Sequence, residues 1–156
     1  MRRIAAQLEM RPPAEARKLA AFAYILGRAA NADYGVSDEE RAEIATLVAE
    51  VGGVPAADAA LVAELAGTLS WTDGATEDFL VAREYREISS PEERLALLRC
   101  CLLVVGIDDA IGAEEAWLIN RIAEELDVPR PDVNHVRLEF MDRYTAIKDI
   151  RRDNAG

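Results

Sequence analysis

The sequence is poor in the residues that build zinc sites, disulfide frameworks and catalytic triads. Its only histidine is His135, and its two cysteines, Cys100 and Cys101, are adjacent in an apolar run. A structural zinc site needs several such ligands, and a disulfide framework needs cysteines spaced along the chain. We therefore expect both cysteines to be small core residues of a protein in the reducing cytoplasm. No nucleophile motif such as GxSxG accompanies His135, so we expect it to be exposed or capping.

Other motifs are also missing. The sequence has no glycine-rich phosphate loop, no alternating strand pattern and no apolar run long enough to cross a bilayer, so we expect no membrane insertion. A charged residue and prolines interrupt the N-terminal stretch before it can form a secretory signal. Acids outnumber bases by 29 to 18, which gives a formal net charge of −11. Nucleic-acid binding requires a basic face, so we exclude it and expect a cation or a protein partner instead.

The sequence is rich in residues that favour helices, mainly Ala, Leu, Glu and Arg. Apolar residues recur at helical spacing, and we predict an all-α fold, a single compact bundle of about seven helices. The clearest start is Ser89-Ser90-Pro91, where serine caps and proline enters the first turn. The last six residues are expected to be frayed. The predicted helices are at about 14–31, 37–51, 55–69, 75–88, 91–106, 113–126 and 129–147.

The second half of the chain repeats the first at an offset of 75 residues. With one deletion at Gly52-Gly53, nine positions between 33 and 62 are identical in the two halves. An ordered series of matches at a fixed offset indicates an internal repeat. We predict one domain, 1–156, in which a duplicated three-helix unit packs with pseudo-twofold symmetry around a connecting helix. The repeats lie at about 15–69 and 90–150, and the connecting helix at about 75–88.

Each repeat places acidic residues at a loop-to-helix junction. A loop aspartate is followed seven residues later by a glutamate in the first helical turn, which shares the core-facing side with an isoleucine four residues on. The glutamate before it is turned toward solvent. Carboxylates beside loop carbonyls are the ligands that Ca²⁺ and Mg²⁺ prefer. The candidate metal ligands are Asp33, Glu39, Glu40, Asp108, Glu114 and Glu115.

The same acids also have a structural explanation, and both interpretations remain open. Ser37 and Glu40 fit a capping box, in which the glutamate reaches back to the serine backbone N–H. Acids in a first turn also suit the helix dipole. In the second repeat Gly112 replaces the serine, so only the glutamate's half of the capping box can form there. An EF-hand is excluded, because the twelfth positions of the two loops are Ile44 and Ile119 rather than glutamate.

The segment NADYGVSDEE at 31–40, together with GIDDAIGAEE at 106–115, resembles the TerB family of tellurite-resistance proteins. TerB-like domains also occur beside DnaJ modules in membrane-anchored co-chaperones. The family pattern is Ala-Asp-Gly-x-Val/Ile-Ser-x-Glu-Glu before an apolar helix, and Tyr34 and Asp109 replace its glycine. The resemblance covers about residues 15–150. It implies an internally duplicated helical fold, acidic residues that bind a divalent metal, and a stress-response role without known catalysis.

From these features we expect a protein that is not an enzyme. A hydrolase that uses paired carboxylates is a third possibility, and no sequence signature supports it. One remaining function is a stress-response domain that binds a divalent cation, Ca²⁺ or Mg²⁺. The other is a helical scaffold that binds a protein partner, with the acids acting only as caps. A homodimer through an apolar helix face is compatible with both.

The two tryptophans are expected to pack in the core, although tryptophan is also common at interfaces. Trp71, with Phe79 and Tyr85, is expected to fix the connecting helix. Trp117 replaces Ala42 of the first repeat, so it breaks the predicted symmetry.

Overall fold

The computed structural model describes residues 2–30, 37–68, 75–105 and 113–155, and helices are the only regular elements in these ranges. The predicted all-α class is therefore confirmed. One helix more than expected is present, because a short helix precedes Pro12-Pro13, and the last helix continues through the segment expected to be frayed. The helices are α1 (Arg2–Glu9), α2 (Pro13–Ala30), α3 (Asp38–Val51), α4 (Ala56–Thr68), α5 (Ala75–Ile88), α6 (Pro91–Val105), α7 (Ala113–Glu125) and α8 (Arg130–Ala155).

The start of α6 follows the sequence signal closely. The Ser90 hydroxyl accepts a hydrogen bond from the Glu93 backbone N–H at 3.1 Å, and the Ser90 backbone N–H donates to the Glu93 carboxylate at 3.0 Å. This reciprocal capping box satisfies two backbone donors that have no partner inside the helix. The fifth predicted helix corresponds to α6, and its predicted start is confirmed at Pro91.

The core is centred on α2 and α6, which contact each other. α2 also contacts α4, α5 and α7, whereas α6 also contacts α3, α7 and α8. The Phe22 and Tyr85 rings meet edge to face with centroids 6.3 Å apart, a favourable aromatic geometry that ties α2 to α5. Because α2 and α6 are buried on several sides, the sequence of each helix is a nearly continuous apolar run.

Cys100 and Cys101 are both free and fully buried in α6. Burial raises the pKa of the Cys100 thiol to about 12 and raises the pKa of Cys101 as well, because a thiolate is poorly solvated in an apolar interior. A thiol that stays protonated is a weak nucleophile and a weak metal ligand. The expectation that both are core residues is confirmed.

Several helix contacts match the predicted pseudo-twofold arrangement. Under the 75-residue offset α2 corresponds to α6 and α3 to α7, so a twofold axis between α2 and α6 would make α3·α6 and α2·α7 equivalent contacts. Both contacts occur, together with α2·α6 itself. The match is incomplete, because α3 packs against α4 whereas the equivalent helices α7 and α8 barely contact each other in the described residues, and the duplication stays a prediction.

Within the described ranges, no helix combines the length and the apolar composition that crossing a bilayer requires.

Candidate functional site

The first of the two predicted acidic junctions is described from Ser37 onward, at the first turn of α3. Ser37 is the N-cap with extended backbone (φ −72°, ψ 165°), and its hydroxyl accepts a hydrogen bond from the Glu40 backbone N–H at 3.1 Å. The same hydroxyl lies 3.0 Å from Glu40 Oε1 and donates to it. The sequence predicted that Glu40 would reach the Ser37 backbone N–H; the carboxylate contacts the hydroxyl instead. Glu40 therefore takes part in the cap through its side chain.

Exposure differs among the carboxylates of this turn. Asp38 and Glu39 are exposed, whereas Glu40 is half-buried and lies on the same side as Ile44, which is 1 % exposed. Arg41 is the nearby cation, and its guanidinium lies 3.5 Å from the Asp38 carboxylate. Three carboxylates against one guanidinium leave the helix start negative, and the positive end of the helix dipole offsets part of their repulsion. This turn can attract a cation from solvent.

The other predicted ligands are only partly within the described residues. Asp33 and Asp108 lie outside them, and so does the side chain of Glu114. Glu115 is half-buried in the first turn of α7 and has interactions of its own. Within the part of the chain that the structure describes, no three His, Cys, Asp or Glu side chains form a group that could hold a metal ion. The six-residue ligand set remains a prediction.

His135 is exposed on α8, as expected, and its Nε2 lies 3.0 Å from Glu139. Arg99 of α6 donates to the same carboxylate at 3.0 Å. The Arg99 hydrogen bond is the main reason that the pKa of Glu139 lies below its usual value, and charge on His135 adds to it. The cluster ties α6 to α8 at the surface, and no nucleophile contacts His135 among these groups.

A buried ion pair joins α2 to α7, and sequence reasoning missed it. Arg28 Nη2 lies 2.9 Å from Glu125 Oε2, and Arg28 Nη1 lies 3.3 Å from Oε1, so the contact is bidentate. The two side chains are only 6 % and 9 % exposed. The available signal was Arg28 itself, an arginine at a core-facing position of the apolar run of α2.

A second missed feature is a basic groove between α7 and the start of α8, defined by Trp117, Asn120, Arg121, Ala123, Glu124, Val128, Arg130, Val133, Asn134 and Arg137. The core position expected for Trp117 is wrong, because its side chain is 60 % exposed and forms one wall of this groove. Phe79 is also 47 % exposed, whereas Tyr85 is buried and Trp71 lies outside the described residues. The spacing of Arg130, Asn134 and Arg137 puts them on one face of α8, and this spacing is the sequence signal that could have revealed the groove.

Comparison with protein families decides the classification. The family model "Tellurite resistance protein TerB" matches residues 18–138, which is most of the chain and contains both acidic segments. The chain belongs to the TerB family. Comparison with curated proteins and with solved structures gives no match. The helical fold is consistent with the family, while the Arg28–Glu125 pair and the basic groove come from the structure of this TerB chain alone.

Proposed function

We propose that this TerB chain is a non-enzymatic domain of a tellurite-type stress response in the cytoplasm, and that it binds a divalent cation, Ca²⁺ or Mg²⁺. The cation would be held at the two acidic loop-to-helix junctions. Asp33 and Glu40 act in the first junction, and Asp108 and Glu115 in the second. Glu39 and Glu114 are additional ligands at the same helix starts.

The observation that carries this proposal is the unbalanced negative charge of the α3 first turn. Asp38, Glu39 and Glu40 face a single cation, Arg41, and Glu39 has no ion pair among the described residues. Only one oxygen of Glu40 is seen in a hydrogen bond, with the Ser37 hydroxyl. A hard cation would relieve the repulsion between these carboxylates and satisfy the remaining oxygens.

Titration of the full chain with CaCl₂ or MgCl₂ tests the proposal. A ligand that binds only the folded state stabilises it, so we expect the melting temperature to rise with either ion and calorimetry to show saturable heat. Glu39→Gln and Glu40→Gln should each weaken the ion response. Glu43→Gln is the matched control, because Glu43 is an exposed glutamate one turn further along α3.

Two results would contradict cation binding. One is the absence of any thermal or calorimetric response of the wild type up to millimolar ion. The other is a response that Glu39→Gln, Glu40→Gln and Glu43→Gln reduce equally, since this would reflect net charge rather than a site.

The second candidate is a helical scaffold that binds a protein partner or forms a homodimer. It is favoured by the contact between Ser37 and Glu40, and by the similar contact of Ser90 and Glu93 at α6, which lies outside the two acidic segments. If the protein is such a scaffold, Glu40→Gln lowers the free energy of unfolding by about 1 kcal/mol, because a cap contact is lost. The response to added ion should then not change. The titrations above therefore separate the two functions.

A further inference from the structure

The basic groove between α7 and the start of α8 has the size of a small-molecule site. Its volume is about 560 Å³, and both helices line it with residues from one face. Ligand sites in proteins commonly enclose roughly 300–1,000 Å³. The groove lies between α7 and the start of α8, which are joined by a tight turn at 126–129.

The charge of this groove is opposite to that of the protein as a whole. Arg121, Arg130 and Arg137 line it against one carboxylate, Glu124, in a chain whose formal net charge is −11. Three guanidinium groups on one concave surface repel one another unless an anion lies between them. A local positive cleft on an acidic surface also concentrates small anions while the surrounding charge repels extended polyanions.

The arginines differ in how they are held. Arg137 donates to the Asn120 side chain, which fixes its guanidinium across the groove from α8 to α7. Arg121 lies against the Trp117 ring, 5.4 Å from its centroid, and 3.6 Å from Glu125. Arg130 is exposed and has no ion pair or hydrogen bond among the described residues. Arg130 and Arg137 therefore have donors available for a ligand.

The rest of the lining provides a place for a flat apolar group. Trp117 is 60 % exposed, so much of its ring surface faces the groove or solvent. Ala123, Val128 and Val133 contribute apolar surface to the same groove. An exposed tryptophan next to arginines can stack on an aromatic ring while the guanidinium groups bind negative oxygens.

We propose that this groove binds a small organic phosphate of nucleotide size, a flat ring joined to one or more phosphate groups. The phosphates contact Arg130 and Arg137, whose planar N–H donors match phosphate oxygens. The ring stacks on Trp117. This site is separate from the acidic junctions, and it does not depend on the function proposed for them.

Calorimetric titration of the full chain with ATP tests the proposal, in EDTA so that no divalent ion contributes. We expect saturable binding that weakens as NaCl is raised, because exposed charge contacts are screened by salt. Two further probes separate the parts of the ligand. Adenosine and inorganic tripolyphosphate should each bind at least tenfold more weakly than ATP, since each lacks one half of the contacts.

Variants locate the binding to the groove. Arg130→Gln combined with Arg137→Gln should weaken ATP binding at least tenfold. Trp117→Leu should weaken the binding of ATP but not of tripolyphosphate, and it keeps an apolar side chain at an exposed position so that folding is preserved. Arg83→Gln is the control, because Arg83 is exposed on α5 outside the groove and pairs there with Glu87.

Three outcomes overturn the proposal. The first is no saturable binding of ATP up to millimolar concentration. The second is ATP binding that the paired arginine substitutions and Trp117→Leu both leave unchanged. The third is equal affinity for ATP and tripolyphosphate, which would remove the ring from the ligand. Melting temperatures close to wild type for all variants ensure that a loss of binding reports on the groove.

Discussion

The C-terminal ends of α3 and α7 occupy matching positions in the predicted repeats, and they reach similar turns with different residues. α3 ends at Gly52 and Gly53, and the Gly53 backbone has φ +70°. α7 is followed by Asp127 with φ +57°. Each turn then enters a Val-Pro pair that begins the next helix. A left-handed residue therefore occurs at this position of both predicted repeats, although only the first uses glycine for it.

The turn after α7 shows why this backbone conformation is needed. The Asp127 N–H donates to the Glu124 carbonyl at 3.1 Å, and the Val128 N–H donates to the Ala123 carbonyl at 3.0 Å. This pair of bonds is the Schellman motif, which satisfies carbonyls that the helix leaves without partners. It requires a left-handed residue at the position of Asp127, whatever the side chain there.

In the last turn of α3 and of α7, two equivalent glutamates lie in different environments. Glu50 and Glu125 are equivalent under the 75-residue offset, but Glu50 is exposed and Glu125 is nearly buried against Arg28. The offset that relates the two glutamates places Leu103 opposite Arg28. The second predicted repeat thus has a leucine where the first has the arginine, so Glu50 has no counterpart of the contact between Glu125 and Arg28. Identity at a repeated position does not imply an equal role.

The largest expected effect comes from Glu125. Glu125→Ala removes the carboxylate that both Arg28 nitrogens contact, and it thereby breaks the buried ion pair. Loss of one partner of a buried ion pair costs about 3–5 kcal/mol in the free energy of unfolding. Chemical denaturation monitored by circular dichroism measures the loss. The matched change Glu50→Ala should cost less than about 0.5 kcal/mol, because its side chain is exposed.

A double variant tests whether the buried charges cause this difference in stability. Arg28→Leu combined with Glu125→Leu copies the apolar residue at 103 and removes both charges together. Replacement of a buried ion pair by apolar residues is often neutral or stabilising, so most of the stability lost in Glu125→Ala should return. A double variant as unstable as Glu125→Ala would show that packing, and not the broken ion pair, causes the loss.

A smaller effect is expected at the left-handed residues. Gly53→Ala should lower the free energy of unfolding by about 1 kcal/mol, because alanine disfavours positive φ. Backbone strain alone would be responsible, since a Cβ at Gly53 would have no atom within 4 Å. Asp127→Gly should raise the stability by up to about 1 kcal/mol for the same reason. Denaturation midpoints measure both changes, and shifts of the same sign in the two variants would contradict the argument.

Much of the fold was predictable because helix signals are local. The start at Ser90 and the stop at Gly52-Gly53 rest on capping and turn chemistry that adjacent residues determine. Helix α1 is absent from the prediction because the first predicted helix starts after Pro12-Pro13, although those prolines only separate α1 from α2.

The candidate sites were less predictable because they depend on contacts between distant residues. Spacing placed Glu39 toward solvent and Glu40 beside Ile44, as the structure has them. The partner of Arg28 is 97 residues away, so no local pattern reveals it. The exposure of Trp117 depends on how α7 and α8 are arranged after the turn that joins them, and single-helix periodicity does not contain that information.

The smallest expected effect tests the contact between α2 and α6, the two helices that the predicted symmetry relates. Lys18 Nζ lies 2.8 Å from Glu93 Oε2, and these two positions are 75 residues apart, which is the repeat offset itself. Partial burial raises the pKa of Glu93, but hydrogen bonds from Lys18 and from the Ser90 backbone outweigh it, and the pKa lies below the ordinary value of 4.5. The charged carboxylate is therefore the form that the folded state favours.

Because the folded-state pKa of Glu93 is depressed, its contribution is present above pH 4.5 and is lost as pH falls through the lower folded value. Glu93→Gln should thus cost up to about 1 kcal/mol at pH 7, since the ion pair is half-exposed and screened. The difference from wild type should shrink below pH 4.5, where the wild-type carboxyl takes up a proton. Denaturation of both proteins from pH 7 to pH 3 measures this difference. A constant gap across that range would show that Glu93 acts by shape and not by charge, and the ion pair would then give no support to a twofold contact between α2 and α6.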